Sequence, residues 1–177
     1  SGDTMFNEVF FDGVFVADED VVGEINNGWA VARATLGNER VTIGGQARNG
    51  IDAYDLIDLL PGGVKADLGH DREVGKQVAL EQVIRLMNLR AATRAVIGSG
   101  PGAEGNITKV LVSELAQSTT EVAMKLLEDG GVDGENPEIT YQYVFNRCLT
   151  IAGGTSEISR NVIAERILGM PRDPLIR

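Results

Sequence analysis

Hydrophobic residues recur at intervals of three and four over most of this chain, which is the pattern of amphipathic α-helices. The pattern predicts four main helices and a short one, over residues 29–60, 72–97, 107–126, 137–150 and 155–168. Glycine-rich turns separate these segments, so we expect a mainly α protein that packs as an antiparallel helix bundle. Strands do not alternate with the helices, which excludes a Rossmann or P-loop domain despite the 22 glycines.

Residues 6–16 have a different pattern, F-N-E-V-F-F-D-G-V-F-V, in which aromatic and β-branched residues dominate. This pattern predicts a β-strand with a turn or bulge at Asp12 and Gly13. A single strand is unstable because its edges are unpaired. Either it covers the surface of the bundle, or its sheet lies in sequence outside this chain. The start Ser1-Gly2-Asp3, without a methionine, is typical of a tag remnant or an internal start.

The first predicted helix contains Gly44, Gly45 and Gly50. Each glycine inside a helix costs about 1 kcal/mol relative to alanine. Three of them indicate close approach by a neighbour or a ligand, or else a break in the helix.

Composition limits the function classes. The net charge of −10 disfavours nucleic acid and anionic membranes as partners. One cysteine, Cys148, and one histidine, His70, exclude an internal disulfide and any multi-cysteine or multi-histidine metal site. Cys148 lies in an apolar run and is expected to be buried, whereas His70 lies in a polar segment and is expected in a surface loop. Hydrophobic runs are too short to span a membrane, and we expect a cytoplasmic protein without a metal.

Two segments could carry chemistry. In I-A-G-G-T-S-E-I-S-R, over residues 151–160, glycines precede Thr155 and Ser156 at a predicted helix start. Free backbone N–H groups and the helix dipole could bind an anion there, although the same residues are also an ordinary helix cap. Glu39 and Arg40 lie within the first helix and have no oppositely charged residue four positions away. They face either water or a cavity.

The sequence R-C-L-T-I-A-G-G-T-S-E-I-S-R-N-V-I-A-E-R-I-L-G-M-P-R-D-P closely resembles the C-terminal signature of acyl-CoA dehydrogenases. Residues 6–16 are similar to the last strand of the family's middle β-domain. V-V-G-E-I-N-N-G-W-A-V-A and L-G-N-E-R resemble the entry to its C-terminal helical domain. The resemblance implies that residues 1–24 are a strand and linker from a preceding β-domain and that residues 25–177 are the helical bundle domain.

The resemblance implies FAD-dependent α,β-dehydrogenation of an acyl-CoA thioester, as in fatty acid β-oxidation. A carboxylate removes the α-proton while the β-hydride passes to the flavin. Gly153 occupies the position at which many members carry the catalytic glutamate. Glu39 matches the position of the base in a second branch of the family. By the same resemblance, the acyl-CoA site includes Arg40 and Gly154, and the flavin contacts come from Thr155, Ser156 and Glu157.

Two flavin-binding motifs of the family are degraded. The Arg-x-x-Phe-Gly segment has no match over residues 61–77, and the Gln-x-x-Gly-Gly-x-Gly loop is replaced by K-L-L-E-D-G-G-V-D-G over residues 125–134. Two hypotheses therefore stay open. The chain is the C-terminal domain of an acyl-CoA dehydrogenase that is inactive as an isolated piece, or it belongs to a structural partner subunit that binds little flavin. Expected partners are acyl-CoA, an electron-transfer flavoprotein, and other subunits in a homo- or hetero-oligomer, a dimer of dimers.

Overall fold

The computed structural model describes residues 1–4, 6–45, 50–60, 68–97, 104–172 and 174–175. Within these residues six α-helices follow one another: α1 Gly28–Gly45, α2 Asp55–Asp58, α3 Leu68–Val96, α4 Gly105–Leu127, α5 Pro137–Phe145 and α6 Ser156–Arg166. Short 3₁₀ helices cover Asp18–Asp20, Glu128–Gly131 and Asn146–Thr150. The predicted helical fold class is confirmed.

α4 is the central helix of the bundle, because α1, α3, α5 and α6 all pack against it. Its buried side chains include Val122, Ala123 and Leu126, which form the main hydrophobic cluster with residues of α2 and α3. The other buried members of that cluster are Leu56 in α2, Leu60 two residues after α2, and Val74 in α3. Burial of a large aliphatic side chain of this kind stabilises a fold by about 1.5–3 kcal/mol. This cluster therefore fixes α2 and α3 on one side of α4.

The first predicted helix is shorter than expected. α1 ends at Gly45, and the separate short helix α2 begins only at Asp55. Gly50 has φ 132°, which helices exclude, and a β-carbon there would collide with the side chain of Gln142. The Ile51 N–H donates to Gln142 Oε1 at 2.9 Å, so the chain is anchored to α5 where the helix would have continued. The helix break is therefore observed, and at Gly50 the expected close approach of a neighbour is observed with it.

The predicted strand over residues 6–16 is not observed in that part of the described chain. Its aromatic side chains are almost fully exposed, with Phe6 at 94% and Phe15 at 88%. A strand needs a neighbouring strand to pair its N–H and C=O groups. The described residues offer none, so the segment has strand composition without strand hydrogen bonds.

Two smaller predictions also fail. Cys148 is exposed rather than buried, because it lies in the 3₁₀ helix Asn146–Thr150 on the outer side of the bundle. His70 lies in the first turn of α3 and is partly buried, so it is not in a surface loop. Among the described residues, no helix combines the length and the hydrophobicity that crossing a membrane would need.

Candidate functional site

The turn that enters α6 has a backbone that only glycine adopts easily. Gly153 has φ 67° and Gly154 has φ 98°, both in the left-handed region. Thr155 follows with extended backbone and caps α6, because its Oγ1 accepts the Ile158 N–H at 3.3 Å. The sequence prediction of a sharp turn and a helix start at Thr155 is therefore confirmed.

The N-terminus of α6 attracts negative charge. Glu157, in the first turn of this 11-residue helix, shows the effect. Its own backbone N–H and the Thr155 hydroxyl, both hydrogen-bonded to the carboxylate, hold the pKa of the Glu157 carboxyl below its usual range. Arg160 and Lys109 act in the same direction from further away. The turn therefore has a positive potential that suits an anion, and the Glu157 carboxylate is an anion that it already stabilises.

Small buried serines lie where α6 packs on α4. Ser156 and Ser159 are 3% and 2% exposed and lie three residues apart on α6. The Ser113 hydroxyl oxygen on α4 lies 2.9 Å from the Leu149 carbonyl oxygen and 2.8 Å from that of Lys109. This hydroxyl therefore links α4 to the start of the segment that leads into the turn. Within the described part of the chain, Ser156 Oγ is buried without a hydrogen-bond partner.

The six predicted site residues divide into two groups. Gly154, Thr155, Ser156 and Glu157 form one continuous turn at the start of α6, as the sequence predicted. Glu39 and Arg40 belong to α1, which packs against α4. Their side chains lie outside the described residues, so the assignment of a base to Glu39 and of acyl-CoA contact to Arg40 stays a prediction.

Sequence reasoning missed one residue beside the turn. Lys109 on α4 is only 1% exposed, which is rare for lysine. The sequence contains only a weak signal of its burial. Lys109 and Ser113 are four residues apart and therefore share a helix face, and that face also carries part of the buried stripe of α4. The buried residues on this face, Asn106 and Ser113, are polar as well, so the face has the composition of a buried polar contact.

The loop after α4 does not suit an anionic cofactor. Hydrogen bonds within the chain hold the loop: the Asn136 amide donates to the Gly130 carbonyl at 3.0 Å, and the Thr140 hydroxyl to that of Gly131 at 2.8 Å. Lys125, which precedes the loop, is paired with Glu73 at 3.2 Å. The exposed side chains around the loop are acidic: Glu128, Asp129, Asp133 and Glu135. Cofactor phosphates would be repelled here.

In the part of the chain that the structure describes, no group of three or more His, Cys, Asp and Glu side chains could hold a metal ion. The features that characterise the described chain are therefore not metal ligands but a helical bundle and a glycine-rich turn. This turn lies at the N-terminus of α6, where the helix dipole is positive.

Comparison with known proteins names the family. The family description "Acyl-CoA dehydrogenase, C-terminal domain" matches residues 66–168. Acyl-CoA dehydrogenase FadE34 of Mycobacterium tuberculosis is 41% identical over 172 residues, which cover 97% of this chain and 24% of that protein. Acyl-CoA dehydrogenase IpdE1 of Mycolicibacterium smegmatis is 34% identical over 98% of this chain and 44% of its own length. This chain belongs to the acyl-CoA dehydrogenase family.

A solved structure has the same fold. The "Tcur3481-Tcur3483 steroid ACAD G363A variant" superposes with a TM-score of 0.73 at 26% identity, over 93% of this chain and 46% of that one. The chain therefore spans less than half the length of these relatives and corresponds to the C-terminal domain of the family.

Proposed function

We propose that this chain is the C-terminal helical domain of an FAD-dependent acyl-CoA dehydrogenase that acts as part of a larger polypeptide or complex. The observation that carries the proposal is the turn at the start of α6. Gly153 and Gly154 have left-handed backbones, Thr155 caps the helix, and the pKa of Glu157 is lowered by its own backbone N–H and then by the Thr155 hydroxyl. This is where the family resemblance expects Thr155, Ser156 and Glu157 to contact flavin.

The residues of the turn fit such a contact. The N-terminus of α6 offers backbone N–H groups and a favourable dipole to an electron-rich ligand atom. The Ser156 hydroxyl is itself buried, so this residue would contact flavin through its backbone N–H. Gly154 leaves room for a ligand to approach the backbone, which suits the thioester end of an acyl-CoA. Flavin, when bound, supplies the hydride acceptor for oxidation of the substrate β-carbon.

Glu39 is the proposed base. It removes the α-proton of the thioester, and Arg40 beside it binds the acyl-CoA. Gly153 stands where many members of the family carry a glutamate, so the turn itself supplies no carboxylate at that position. One suitably placed carboxylate is sufficient for general-base catalysis, which contributes about 10²–10⁴-fold in rate.

A second candidate function has one specific observation in its favour. The acidic loop over residues 128–135 does not suit a flavin phosphate, and this loop replaces the family motif that contacts the flavin of a neighbouring subunit. A structural partner subunit that supplies few flavin contacts, paired with an unlike subunit that holds the flavin mainly through its own residues, would carry such a loop. The solved relative named for two components, Tcur3481 and Tcur3483, is compatible with a hetero-oligomer. In either case we propose a cytoplasmic oligomer that passes its electrons to an electron-transfer flavoprotein.

Flavin occupancy of the full-length polypeptide separates the two functions. The protein is purified alone, incubated with excess FAD, gel-filtered, and its absorbance near 450 nm is compared with its protein content. About one flavin per polypeptide supports the dehydrogenase that binds its own cofactor. Absence of flavin from the protein alone, with uptake only after mixing with an unlike homologue, supports the partner subunit. Absence of flavin in both preparations contradicts both functions.

A further inference from the structure

A buried lysine lies on the face of α4 that is turned towards α6. Lys109 is 1% exposed. Ser113, one helical turn further along α4, lies on the same face and is hydrogen-bonded to the segment that leads into the turn, through the Leu149 carbonyl at 2.9 Å. The next residue, Glu114, accepts a hydrogen bond from Arg160 of α6 at 2.5 Å. Lys109 is therefore on the side of α4 that supports the turn and the first residues of α6.

The contact between these helices is close. Ser156 and Ser159 are buried and small, and small side chains let two helix backbones approach. The positive charge of Lys109 acts electrostatically on Glu157, which lies on the surface of α6. After the backbone N–H, Thr155 and Arg160, it contributes to the lowered pKa of Glu157. A charge that is removed from water acts more strongly on its neighbours than an exposed one, because the surrounding dielectric is lower.

We propose that Lys109 is a positioning residue for the turn over residues 153–157. Its buried ammonium group adds positive potential to the N-terminus of α6 from inside the bundle and holds the electron-rich groups of the turn in place. The side chain is too deeply buried to touch a cofactor, so it acts through the turn. This inference rests on the proposed function in one respect: the turn is the part of the chain to which we assign flavin contact.

Substitutions in the full-length protein test the role of the charge. Lys109→Met keeps the unbranched shape and removes the charge, whereas Lys109→Arg keeps the charge. Lys125→Met is the matched control, since Lys125 is an exposed lysine of the same helix that pairs with Glu73. Each flavin-free variant is first checked for helix content by circular dichroism. Amide hydrogen exchange is then measured by mass spectrometry for peptides that cover residues 149–160.

We expect Lys109→Met to speed exchange in these peptides by about tenfold, because local opening becomes easier. Lys109→Arg should stay within about threefold of the parent protein, and Lys125→Met should leave these peptides unchanged. Parent-like exchange in a folded Lys109→Met protein would overturn the proposal. If Lys109→Met does not fold, Lys109→Arg decides alone: parent-like exchange supports the role of charge, and exchange about tenfold faster refutes it.

FAD affinity is a second measurement that tests the role of Lys109. We expect Lys109→Met to weaken FAD binding by about tenfold, and Lys109→Arg to restore most of it. FAD affinity that Lys109→Met leaves unchanged counts against the inference about Lys109. If the parent protein and its mixture with an unlike homologue bind no FAD, the proposed function fails, whereas the exchange measurement still decides whether Lys109 positions the turn.

Discussion

Arg160 of α6 donates a hydrogen bond to Glu114 of α4, with Nη2 and Oε1 2.5 Å apart. The pair joins the helix that begins at the glycine-rich turn to the central helix of the bundle. Both side chains are about half exposed, with relative accessibilities of 53% and 46%, so water screens their attraction. Exposed pairs of this kind contribute about 0–1 kcal/mol. The pair therefore orients α6 more than it stabilises the fold.

The first prediction concerns this ion pair. In the full-length protein, Arg160→Met should lower the free energy of unfolding by less than about 1 kcal/mol, because solvent screens the pair. Urea unfolding measures the change, and Glu114→Gln should give a similar value. A double variant that loses the sum of both single effects would show that the two side chains do not interact.

The second prediction concerns the cap of α6. Thr155→Ala removes the acceptor of the Ile158 N–H and should cost about 1 kcal/mol of stability. Thr155→Ser keeps an oxygen at the same position and should cost only a few tenths of a kcal/mol. Urea unfolding midpoints of the two variants give the comparison. Equal losses in both would mean that the threonine methyl group, and not the cap, accounts for the stability.

The third prediction is a pH dependence. The pKa of Glu157 is lowered in the folded protein by its own backbone N–H and then by the Thr155 hydroxyl. A lowered pKa contributes stability above the unfolded-state value of about 4.3 and loses it as the pH falls through the folded-state value. The advantage of the parent protein over Glu157→Gln should thus be largest near neutral pH and shrink below about pH 4.3. Unfolding curves recorded across this range would contradict the assignment if the difference stayed constant.

The fourth prediction concerns the break after α1. Gly50→Ala should destabilise the protein by about 1–3 kcal/mol, because alanine is strained at φ 132° and its β-carbon meets the Gln142 side chain. Gly75→Ala in the interior of α3 is the matched control. Apart from the neighbouring backbone of α3 itself, no atom lies within 4 Å of a β-carbon at Gly75, and the change should stabilise the helix by about 0.5–1 kcal/mol. Thermal unfolding compares the two, and a Gly50→Ala protein as stable as the parent would remove the steric explanation of the break.

The fifth prediction tests the proposed base. In the flavin-loaded full-length protein, Glu39→Gln should reduce turnover of acyl-CoA by about 10²–10⁴-fold while acyl-CoA binding is largely kept. Glu19→Gln, at an exposed acid in the 3₁₀ helix Asp18–Asp20, is the control and should retain parent turnover. Activity is followed by flavin reduction in a single turnover. If the flavin is reduced at a near-normal rate in Glu39→Gln, a group other than Glu39 is the base.

The sequence predicted those parts of the fold that depend on local periodicity. α3 and α4 follow from hydrophobic spacing alone, and Gly153–Thr155 follows from turn and cap chemistry. The break after α1 was ambiguous, because a glycine alone does not reveal that Gln142, 92 positions later, occupies the space beside Gly50. The prediction that Cys148 is buried is wrong for a similar reason: apolar neighbours in sequence do not determine which face of a 3₁₀ helix is covered.

The residues of the candidate site also fall into those that local sequence predicts and those that depend on tertiary packing. Thr155 and Glu157 carry a local signal, since the cap and the first turn of a helix are set by adjacent residues. The local sequence around Lys109 gives little signal of its burial. A lysine is normally assigned to the surface, and its burial depends on the packing of α6 against α4. The strand over residues 6–16 shows the opposite case. Its composition is a genuine β signal, but strand structure needs a second strand, which no local pattern provides.

The central position of α4 has a consequence for the order in which this domain folds. α1, α3, α5 and α6 all rest on it, and α3 and α4 are consecutive long helices with few residues between them. Contacts between consecutive helices form early, since little chain entropy is lost when they meet. Substitutions in the α3–α4 contact should therefore slow folding, whereas those in α6 should mainly speed unfolding. The turn that we assign to flavin contact would then be completed late, on a scaffold that has already formed.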